Sequence, residues 1–173
     1  MKNQEKVAML IQDNFLPEKQ FKDLRDVIMG STMPWFYNKK ILEEHKDETA
    51  PFQFTHTLFN SNTSSAPLSD AAPLFYPLFE KMGLKTMLKA KLNCGVRTSE
   101  HIEGGWHTDT PEDQIHKTAV FFFNTNNGYT KFEDGTVVES VQNRLAEFDS
   151  NLKHTGVSQT DTQVRVVLNL NYL

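Results

Sequence analysis

The second half of the chain consists of short apolar runs separated by Gly, Asn and Asp, a pattern typical of β-strands. One further strand is expected around His107. Short strands at such near-regular spacing predict an antiparallel sandwich or barrel, and their density argues against βαβ units. The runs that predict strands span residues 86–93, 117–124, 128–132, 135–141, 143–149 and 163–173.

The beginning of the chain follows a helical pattern. Residues 7–30 predict a short strand, a turn and a helix that Pro17 opens in its first turn and Gly30 closes. The helix has one apolar face, which we expect to pack on one outer sheet. The residues on this face are Phe21, Leu24 and Ile28.

Residues 60–83 predict a loop followed by a second helix. The stretch 60–73 is dense in Ser, Asn, Pro and Ala, which favours a surface loop over its alternative, a lid above a site. Residues 74–83 predict a short helix that ends at Gly83 and starts late or kinks because of Pro77. The residues expected to be buried are Leu74, Leu78, Phe79 and Met82.

The last predicted strand, residues 163–173, has one wholly apolar face and one polar face. If the apolar face meets the helices, Arg165 and Asn169 point into the barrel, together with Val167 and Asn171. A buried arginine is costly unless it meets an anion, and a dicarboxylate would satisfy it. The strand at 86–93 repeats the pattern. Its apolar face holds Leu88, Ala90 and Leu92, and its polar face holds Lys89, Lys91 and Asn93.

Length and composition favour one domain, with a helical front (1–85) and a barrel core (86–173). The net charge of -4 provides no basic field for nucleic acid. Cys94 is the single cysteine, which excludes an internal disulfide, favours a reducing compartment and is expected to be a small buried hydrophobe. The apolar run 7–11 is too short for a signal peptide or a membrane span, so we expect a cytoplasmic protein.

His107 and Asp109 are candidate metal ligands. They lie two residues apart, so in a strand both side chains project into the same space. An open iron site of this kind needs a third ligand, normally a His from a distant strand. His154, which lies between two late strands, is positioned to return beside the pair.

The other histidines are weaker candidates. His101 and Glu103 form a rival pair at the same spacing, but they precede Gly104-Gly105, which predicts a mobile loop over the site. Trp106 and Arg97 are expected to line a substrate mouth together with His101. The remaining histidines are expected at the surface or in caps: His45, His56 and His116.

The spaced set "HTD", "HTG" and an arginine eleven residues after the second His resembles the iron(II)- and 2-oxoglutarate-dependent oxygenases. The stretches "LIQDNFLPEKQFKDL", "NNGYTKFEDG" and "NRLAEFDSNLKHTG" look like the prolyl 4-hydroxylase-like branch of bacteria and tailed phages. The resemblance covers most of the chain and is closer from Lys89 to the end.

This resemblance implies a double-stranded β-helix (jelly roll) that holds Fe(II) through His107, Asp109 and His154. It implies the cosubstrates 2-oxoglutarate and dioxygen, with Arg165 paired to the distal carboxylate and ascorbate as a supporting reductant. The implied reaction hydroxylates a peptide side chain, such as a prolyl residue, or a small metabolite, and releases succinate and CO₂. The implied setting is the cytoplasm of a bacterium or of a phage-infected host.

Three departures from the family pattern weaken the implication of a prolyl substrate and change the expected cosubstrate site, while the cosubstrate itself stays 2-oxoglutarate. Arg165 stands where prolyl 4-hydroxylases usually have Lys, and no Tyr occupies the early strand at 86–93. Val167 replaces a frequent Ser, so a second donor to the carboxylate must come from elsewhere. The candidates for it are Lys91, Asn93 and Asn169.

Two other function classes remain open on the sequence. A cupin-like binding module could use the same barrel and metal without oxidising anything, and it would not need Arg165. A zinc hydrolase could use two His and one Asp with a bound water, but it would need a general base, for which Glu103 and Glu112 are the candidates. Consumption of 2-oxoglutarate separates the oxygenase from both.

Overall fold

The computed structural model describes residues 9–41, 51–110 and 116–173. Within them two antiparallel sheets pack against each other, and helices cover one outer face. The strands are β1 (Leu10–Gln12), β2 (Phe36–Asn38), β3 (Gln53–Asn60), β4 (Met87–Val96), β5 (Lys117–Phe122), β6 (Tyr129–Phe132), β7 (Val137–Glu139), β8 (Leu145–Asp149), β9 (His154–Val157) and β10 (Val164–Tyr172). The helices are α1 (Glu18–Ile28), a 3-10 helix (Ala72–Phe75) and α2 (Tyr76–Met82).

The large sheet has the order β1-β8-β5-β10-β4-β3-β2, and the small sheet has the order β7-β6-β9. All the strand pairs are antiparallel, so the mainly β sandwich predicted from the strand spacing is confirmed. The six predicted strand runs correspond to β4, β5, β6, β7, β8 and β10.

The predicted strand around His107 is wrong, because this residue forms only an isolated bridge with His154. The Gly104-Gly105 pair interrupts regular pairing here, since Gly105 has a φ of 112°, which side-chain-bearing residues rarely adopt. Conversely, His154 begins the short strand β9 rather than lying in a turn between strands. Four residues that include a glycine are too few for the sequence pattern to indicate a strand.

The helix α1 lies on the outer face of the large sheet, as predicted. Its buried side chains are those expected from the apolar pattern, Phe21, Leu24 and Ile28. Phe21 meets the ring of Phe121 from β5 edge-on, with the ring centroids 6.1 Å apart. This outer core also contains the apolar face of β10, including Leu168 and Leu170.

The second helix starts as a 3-10 helix, with Pro77 in the first turn of α2 and Gly83 as its left-handed C-cap at φ 68°. The 3-10 start shifts the phase of the apolar residues. As a result Phe75 is fully buried, whereas Leu74 is 45% exposed, so the predicted burial of Leu74 is wrong. Leu78 is buried as predicted.

The front of the chain is not purely helical. Residues 1–85 contain α1, the 3-10 helix and α2, but also the three strands β1, β2 and β3. These strands lie at both edges of the large sheet, where they extend the barrel core formed by later residues. The boundary at residue 85 therefore does not separate helices from strands. No helix in the described residues is long and apolar enough to cross a membrane.

The loop at 60–73 packs on β3 and contributes no residue to the cavity between the sheets. Its Ser69 hydroxyl contacts His56 Nε2 at 2.6 Å, and His56 Nδ1 contacts the Pro34 carbonyl at 2.8 Å. His56 is buried, so its predicted surface position is wrong: two neutral partners satisfy the imidazole inside the fold. His116 is half-buried, and His45 lies outside the described residues.

The inner faces of β4 and β10 are polar, as predicted. Their antiparallel register pairs Arg165 with Gly95, Val167 with Asn93, Asn169 with Lys91, and Asn171 with Lys89. The side chains between these positions lie in the outer core. Cys94 is one of them, and burial raises the pKa of its thiol to about 11, which confirms the prediction of a buried hydrophobe.

Asn143 connects the chain leading into α1 to the large sheet. Its side chain accepts a hydrogen bond from the Leu16 amide at 2.8 Å and donates one to the Leu16 carbonyl at 2.8 Å. It also has a φ of 60°. We expect Asn143→Ala to lower the free energy of unfolding by about 3 kcal/mol, because two buried backbone groups lose partners and the φ is unfavourable for alanine.

Urea unfolding of both proteins measures this loss. Asn143→Gly is the control, since it accepts the φ but still removes both hydrogen bonds, and it should therefore be destabilised less than Asn143→Ala. Equal stability of Asn143→Ala and the unchanged protein would contradict this role.

Candidate functional site

A cavity of about 550 Å³ lies between the two sheets. Its walls include the polar inner faces of β4 and β10, the segment around Gly104 and Gly105, and residues of β6 and β9. A second core of apolar side chains fills the remaining space between the sheets. This inner core contains Val120, Phe122, Phe132, Val138, Ala146, Phe148 and Val167.

Three predicted metal ligands meet at the cavity wall. The ligand atoms of His107, Asp109 and His154 all lie within 4.8 Å of one another. Each imidazole Nε2 is 3.8 Å from an oxygen of Asp109, and the two rings have centroids 4.6 Å apart. The structure thus brings together residues that are up to 47 positions apart in the sequence.

Backbone pairing positions these three residues. The amide of His107 donates to the His154 carbonyl at 3.0 Å, and the His154 amide donates back to His107 at 2.9 Å. The Asp109 amide donates to the Ser150 carbonyl at 2.9 Å. Two residues beyond the bridge, Asp109 therefore turns its carboxylate towards both imidazoles.

The orientation of each ligand is set by a second contact. His107 Nδ1 lies 3.1 Å from the Gly105 carbonyl, and His154 Nδ1 lies 2.8 Å from the Leu152 carbonyl. An Nδ1–H that donates to a carbonyl leaves the lone pair on Nε2, which is the nitrogen facing Asp109.

The Asp109 carboxylate is held in the same way. The Thr118 hydroxyl donates to Asp109 Oδ2 at 2.6 Å, and Asn171 Nδ2 donates to the Thr118 oxygen at 3.0 Å. Thr118 lies on β5 and is buried, so this chain of hydrogen bonds connects the large sheet to the carboxylate. These two residues were missed in the sequence, although Asn171 lies on the polar face of its strand.

His154 is packed between two aromatic rings of the inner core. Phe148 meets it edge-on with ring centroids 5.0 Å apart, and Phe132 lies 5.7 Å away. Desolvation by burial lowers the pKa of His154, while the Asp109 carboxylate acts in the opposite direction. The imidazole is therefore neutral near pH 7, which is the form that binds metal ions.

The three residues fit a divalent metal ion. Ligands bound at roughly 2.0–2.2 Å in adjacent positions of an octahedral ion are about 3 Å apart, so the observed 3.8 Å separations would shorten by less than about 1 Å when an ion binds. Two His and one carboxylate on one face form the ligand set of non-haem Fe(II) sites, which leaves further coordination positions open. His101 and Glu103 do not join this cluster.

Arg165 reaches the same cavity from β10. Its Nε donates to Ser140 Oγ at 2.8 Å, its Nη2 donates to Thr130 Oγ1 at 3.2 Å, and it lies over the ring of Phe122. No carboxylate within the described part of the chain pairs with it. Burial lowers the pKa of Arg165 to about 10, so the guanidinium stays charged at neutral pH without a partner anion.

Gly128 makes room for this arginine. A Cβ atom at that position would lie 2.9 Å from the Arg165 side chain. The contacts of Arg165 with Thr130 and Ser140 cross from the large sheet to the small-sheet side of the cavity, and the sequence pattern of a single strand contains no signal for them.

Three residues were predicted as candidates for a second hydrogen-bond donor to the carboxylate of 2-oxoglutarate. All of them line the cavity: Lys91, Asn93 and Asn169. Asn93 Oδ1 is buried and has no hydrogen-bond partner among the described residues. Gln159 also lies on the cavity wall, and its Oε1 is likewise buried without a hydrogen-bond partner among the described residues. Its Nε2 donates to the Gly95 and Thr162 carbonyls. Gln159 was not identified from the sequence.

The predicted substrate-mouth residues do not line the cavity. Arg97 is exposed, His101 Nδ1 donates to the Ser158 carbonyl at 2.7 Å, and Trp106 Nε1 donates to Glu103 at 2.9 Å. Their neighbours Ile102 and Gly104 do line it. No contact tests whether the three residues lie at the entrance to the cavity, so their assignment to a substrate mouth stays a prediction.

The segment around Gly104 is anchored rather than hanging over the site. The Gly104 amide donates to the Gly156 carbonyl at 2.8 Å, and the Ser158 amide donates to Ile102 at 3.0 Å. Gly104 is buried, and a Cβ there would lie 3.2 Å from the Gly156 oxygen. The mobile loop predicted from the glycine pair is therefore not what these contacts indicate.

No protein-family model matches the chain, and no curated protein matches it in sequence. Solved structures do match its fold. A prolyl hydroxylase from Trichoplax adhaerens, in complex with a peptide fragment of the hypoxia inducible factor oxygen degradation domain, aligns with a TM-score of 0.66 and 11% identity. The alignment covers 96% of this chain and 84% of that one.

Two further structures extend the comparison. A prolyl-4-hydroxylase from Pseudomonas putida aligns with a TM-score of 0.62 and 15% identity over 96% of this chain and 92% of that one. The epimerase SnoN, in complex with Fe³⁺, alpha ketoglutarate and nogalamycin RO, aligns with a TM-score of 0.64 and 9% identity over 96% and 79%. The fold is thus the jelly roll of 2-oxoglutarate-dependent enzymes, and the fold implied by the sequence resemblance is confirmed.

Proposed function

We propose that this protein is an Fe(II)- and 2-oxoglutarate-dependent dioxygenase that hydroxylates a C–H bond of its substrate and forms succinate and CO₂. One observation carries the proposal. Two imidazoles and a carboxylate face the same cavity of about 550 Å³ as a buried guanidinium that has no carboxylate partner among the described residues. The fold is also that of enzymes with this cofactor and cosubstrate.

His107, Asp109 and His154 would hold Fe(II), which supplies the activation of dioxygen when bound. The Nδ1 atoms of both rings face backbone carbonyl oxygens, so the Nε2 atoms and the carboxylate oxygen face the metal position. The packing of Phe132 and Phe148 around His154 keeps water away from one side of the site.

Arg165 would bind the distal carboxylate of 2-oxoglutarate. A guanidinium forms two parallel hydrogen bonds to a carboxylate, and this geometry fixes the orientation of the diacid. Thr130 and Ser140 hold the guanidinium, so its position is set before the ligand arrives. Lys91, Asn93 and Asn169 are the candidates to complete the cosubstrate site, and ascorbate would maintain the iron as Fe(II).

The substrate is a peptide side chain or a small metabolite. The likeness to a prolyl hydroxylase solved with a peptide supports the first, and the likeness to SnoN supports the second. SnoN is an epimerase, so this fold also hosts reactions that do not end in a hydroxyl group. The single, buried thiol of Cys94 suits a reducing cytoplasm, bacterial or phage-infected, and the net charge of -4 does not favour nucleic acid.

The alternative functions have less support. A zinc hydrolase needs a free general base, but Glu103 is exposed and bonded to both Trp106 and Lys131. Glu112 lies outside the described residues. A cupin-like binding module would not need Arg165, which faces the cavity without a carboxylate partner in the described part of the chain.

Thr118 offers a prediction about the metal. We expect Thr118→Val to weaken metal binding about 10- to 100-fold, because the carboxylate of Asp109 loses the hydroxyl that orients it. Mn(II) titration under argon, followed by electron paramagnetic resonance of the free ion, gives the dissociation constant. Thr118→Ser keeps the hydroxyl and should bind like the unchanged protein; equal affinity of all three proteins would contradict this role.

Oxygen uptake tests the proposed function. Such enzymes consume dioxygen slowly even without substrate. In an oxygen electrode, after subtraction of the uptake by free Fe(II), the purified protein should consume dioxygen only when Fe(II) and 2-oxoglutarate are both present. Uptake that continues with Zn(II) in place of Fe(II), or without 2-oxoglutarate, would contradict the proposal. Binding of both without any uptake would favour the binding module.

A further inference from the structure

The cavity contains cations at two separate positions. Besides Arg165, the inner face of β4 brings Lys89 and Lys91 into it. Lys91 is paired with Asn169, four residues along β10 from Arg165. Because a strand rises about 3.4 Å per residue, the pair Lys91–Asn169 and the pair Gly95–Arg165 are roughly 14 Å apart along the sheet.

The lysines lie beside the metal cluster. Lys89 is paired with Asn171, the residue whose amide donates to Thr118. Thr118 in turn donates to Asp109. Lys89 is therefore paired with the residue that helps to position Asp109, a proposed metal ligand. The guanidinium of Arg165 is held elsewhere, by Thr130 and Ser140.

Neither lysine has a partner within the described part of the chain. Lys117, on β5 of the same sheet, pairs with Asp149 at 2.7 Å, whereas the side chains of Lys89 and Lys91 form no ion pair or hydrogen bond with any described residue. Burial is the main cause that lowers the pKa of Lys91 to about 8, with the ammonium of Lys89 as the second cause. The carboxylate of Asp109 acts in the opposite direction.

Two neighbouring ammonium groups on a cavity wall repel each other, and a bound anion removes this repulsion. We propose that Lys89 and Lys91 bind an anionic group, a carboxylate or a phosphate, of the substrate that is oxidised. This inference rests on the proposed function and narrows it, because it assigns Lys91, one of the three cosubstrate candidates, to the substrate and leaves Arg165, Asn93 and Asn169 to 2-oxoglutarate. Ile41 and Phe52 line the same cavity, so the substrate class is an acid with an apolar part.

Matched aldehydes test this site without any turnover. An aldehyde condenses with a free amine to an imine and water, and cyanoborohydride reduces the imine to a stable amine. The first pair of probes is pyridoxal 5′-phosphate and 5-deoxypyridoxal, neither of which can close to an internal hemiacetal, and the second is 4-carboxybenzaldehyde and benzaldehyde. Peptide mass spectrometry then measures the rate of labelling at Lys89 and Lys91 separately.

The anionic member of at least one pair should label one of the two lysines at least about ten-fold faster than its neutral counterpart, since the other ammonium binds the anion. A preference in the first pair identifies a phosphate site, and one in the second pair identifies a carboxylate site. Lys89→Met should remove the preference at Lys91, and Lys91→Met should remove it at Lys89. Lys117→Met is the matched control and should retain it.

Two outcomes would overturn the inference. One is equal labelling by charged and neutral aldehydes of both pairs. The other is loss of the labelling in the unchanged protein when Mn(II) and saturating 2-oxoglutarate are present, which would assign the lysines to the cosubstrate. Labelling needs neither dioxygen nor turnover, so a protein that fails to oxidise 2-oxoglutarate would contradict the proposed function while the anion preference is still measured.

Discussion

Replacing His107 by alanine should abolish binding of one Fe(II) per chain and lower 2-oxoglutarate turnover by more than about 100-fold. Loss of a residue that merely orients a metal ligand already costs about 10- to 100-fold in affinity or activity, so loss of a ligand should cost more. His107 suits this test because it lies outside the regular strands and is half-buried, so its removal should leave the packing of the sheets intact. His154, by contrast, is part of the inner core.

Anaerobic equilibrium dialysis with Fe(II) measures the stoichiometry, and succinate formation measures the turnover. His101→Ala is the matched control, since this histidine belongs to the rival pair with Glu103 and its ring lies 5.6 Å from that of Tyr129. It should still bind one Fe(II) per chain. Retention of metal by His107→Ala, or its loss in His101→Ala, would contradict the assignment of the ligands.

Replacing Arg165 by methionine should raise the KM for 2-oxoglutarate by about 10- to 100-fold, since a hydrogen bond to a charged group contributes about 1.5–3 kcal/mol. The same change should leave the free energy of unfolding of the ligand-free protein within about 1 kcal/mol of the original, because a buried guanidinium without a carboxylate partner stabilises little. The two measurements together separate ligand binding from a structural role.

Arg165→Lys keeps the charge but not the planar pair of donors. Its KM for 2-oxoglutarate should therefore fall between that of the unchanged protein and that of Arg165→Met. Gly128→Ala is a second but less selective probe of the same position, because its Cβ would lie 2.9 Å from the side chains of Arg165 and Asn126 and from the Val157 carbonyl oxygen. A large loss of stability in ligand-free Arg165→Met, with an unchanged KM, would show that Arg165 is a structural residue.

The alternation of polar and apolar residues sufficed to predict the inner faces of β4 and β10. Each strand is long, and one face is buried in the outer core beneath the helices, so a single register satisfies the pattern. Arg165 and Lys91 were identified in this way. The same reasoning located the helix α1, since its apolar residues recur at helical spacing.

The clustering of the three proposed metal ligands was predicted for a partly wrong reason. His107 and Asp109 share a side because the chain pairs at one bridge with His154, not because a regular strand runs through them. The interactions that hold Asp109 and Arg165, through Thr118 and Ser140, depend on which strands meet across the cavity. Pairing between distant strands leaves no periodic signal in one sequence, whereas the strand β9 was missed because its four residues, one of them a glycine, are too few to show a pattern.

The measurement that tests the central claim most directly is the isotopic composition of succinate formed under ¹⁸O₂. Oxidative loss of CO₂ from 2-oxoglutarate creates a new carboxylate, and one of its oxygen atoms must come from dioxygen. Purified protein supplied with Fe(II) and 2-oxoglutarate should form succinate with one ¹⁸O atom per molecule, and His107→Ala should form none above the background of free iron. Absence of succinate, or succinate without the label, from a protein that holds one Fe(II) per chain would contradict the account.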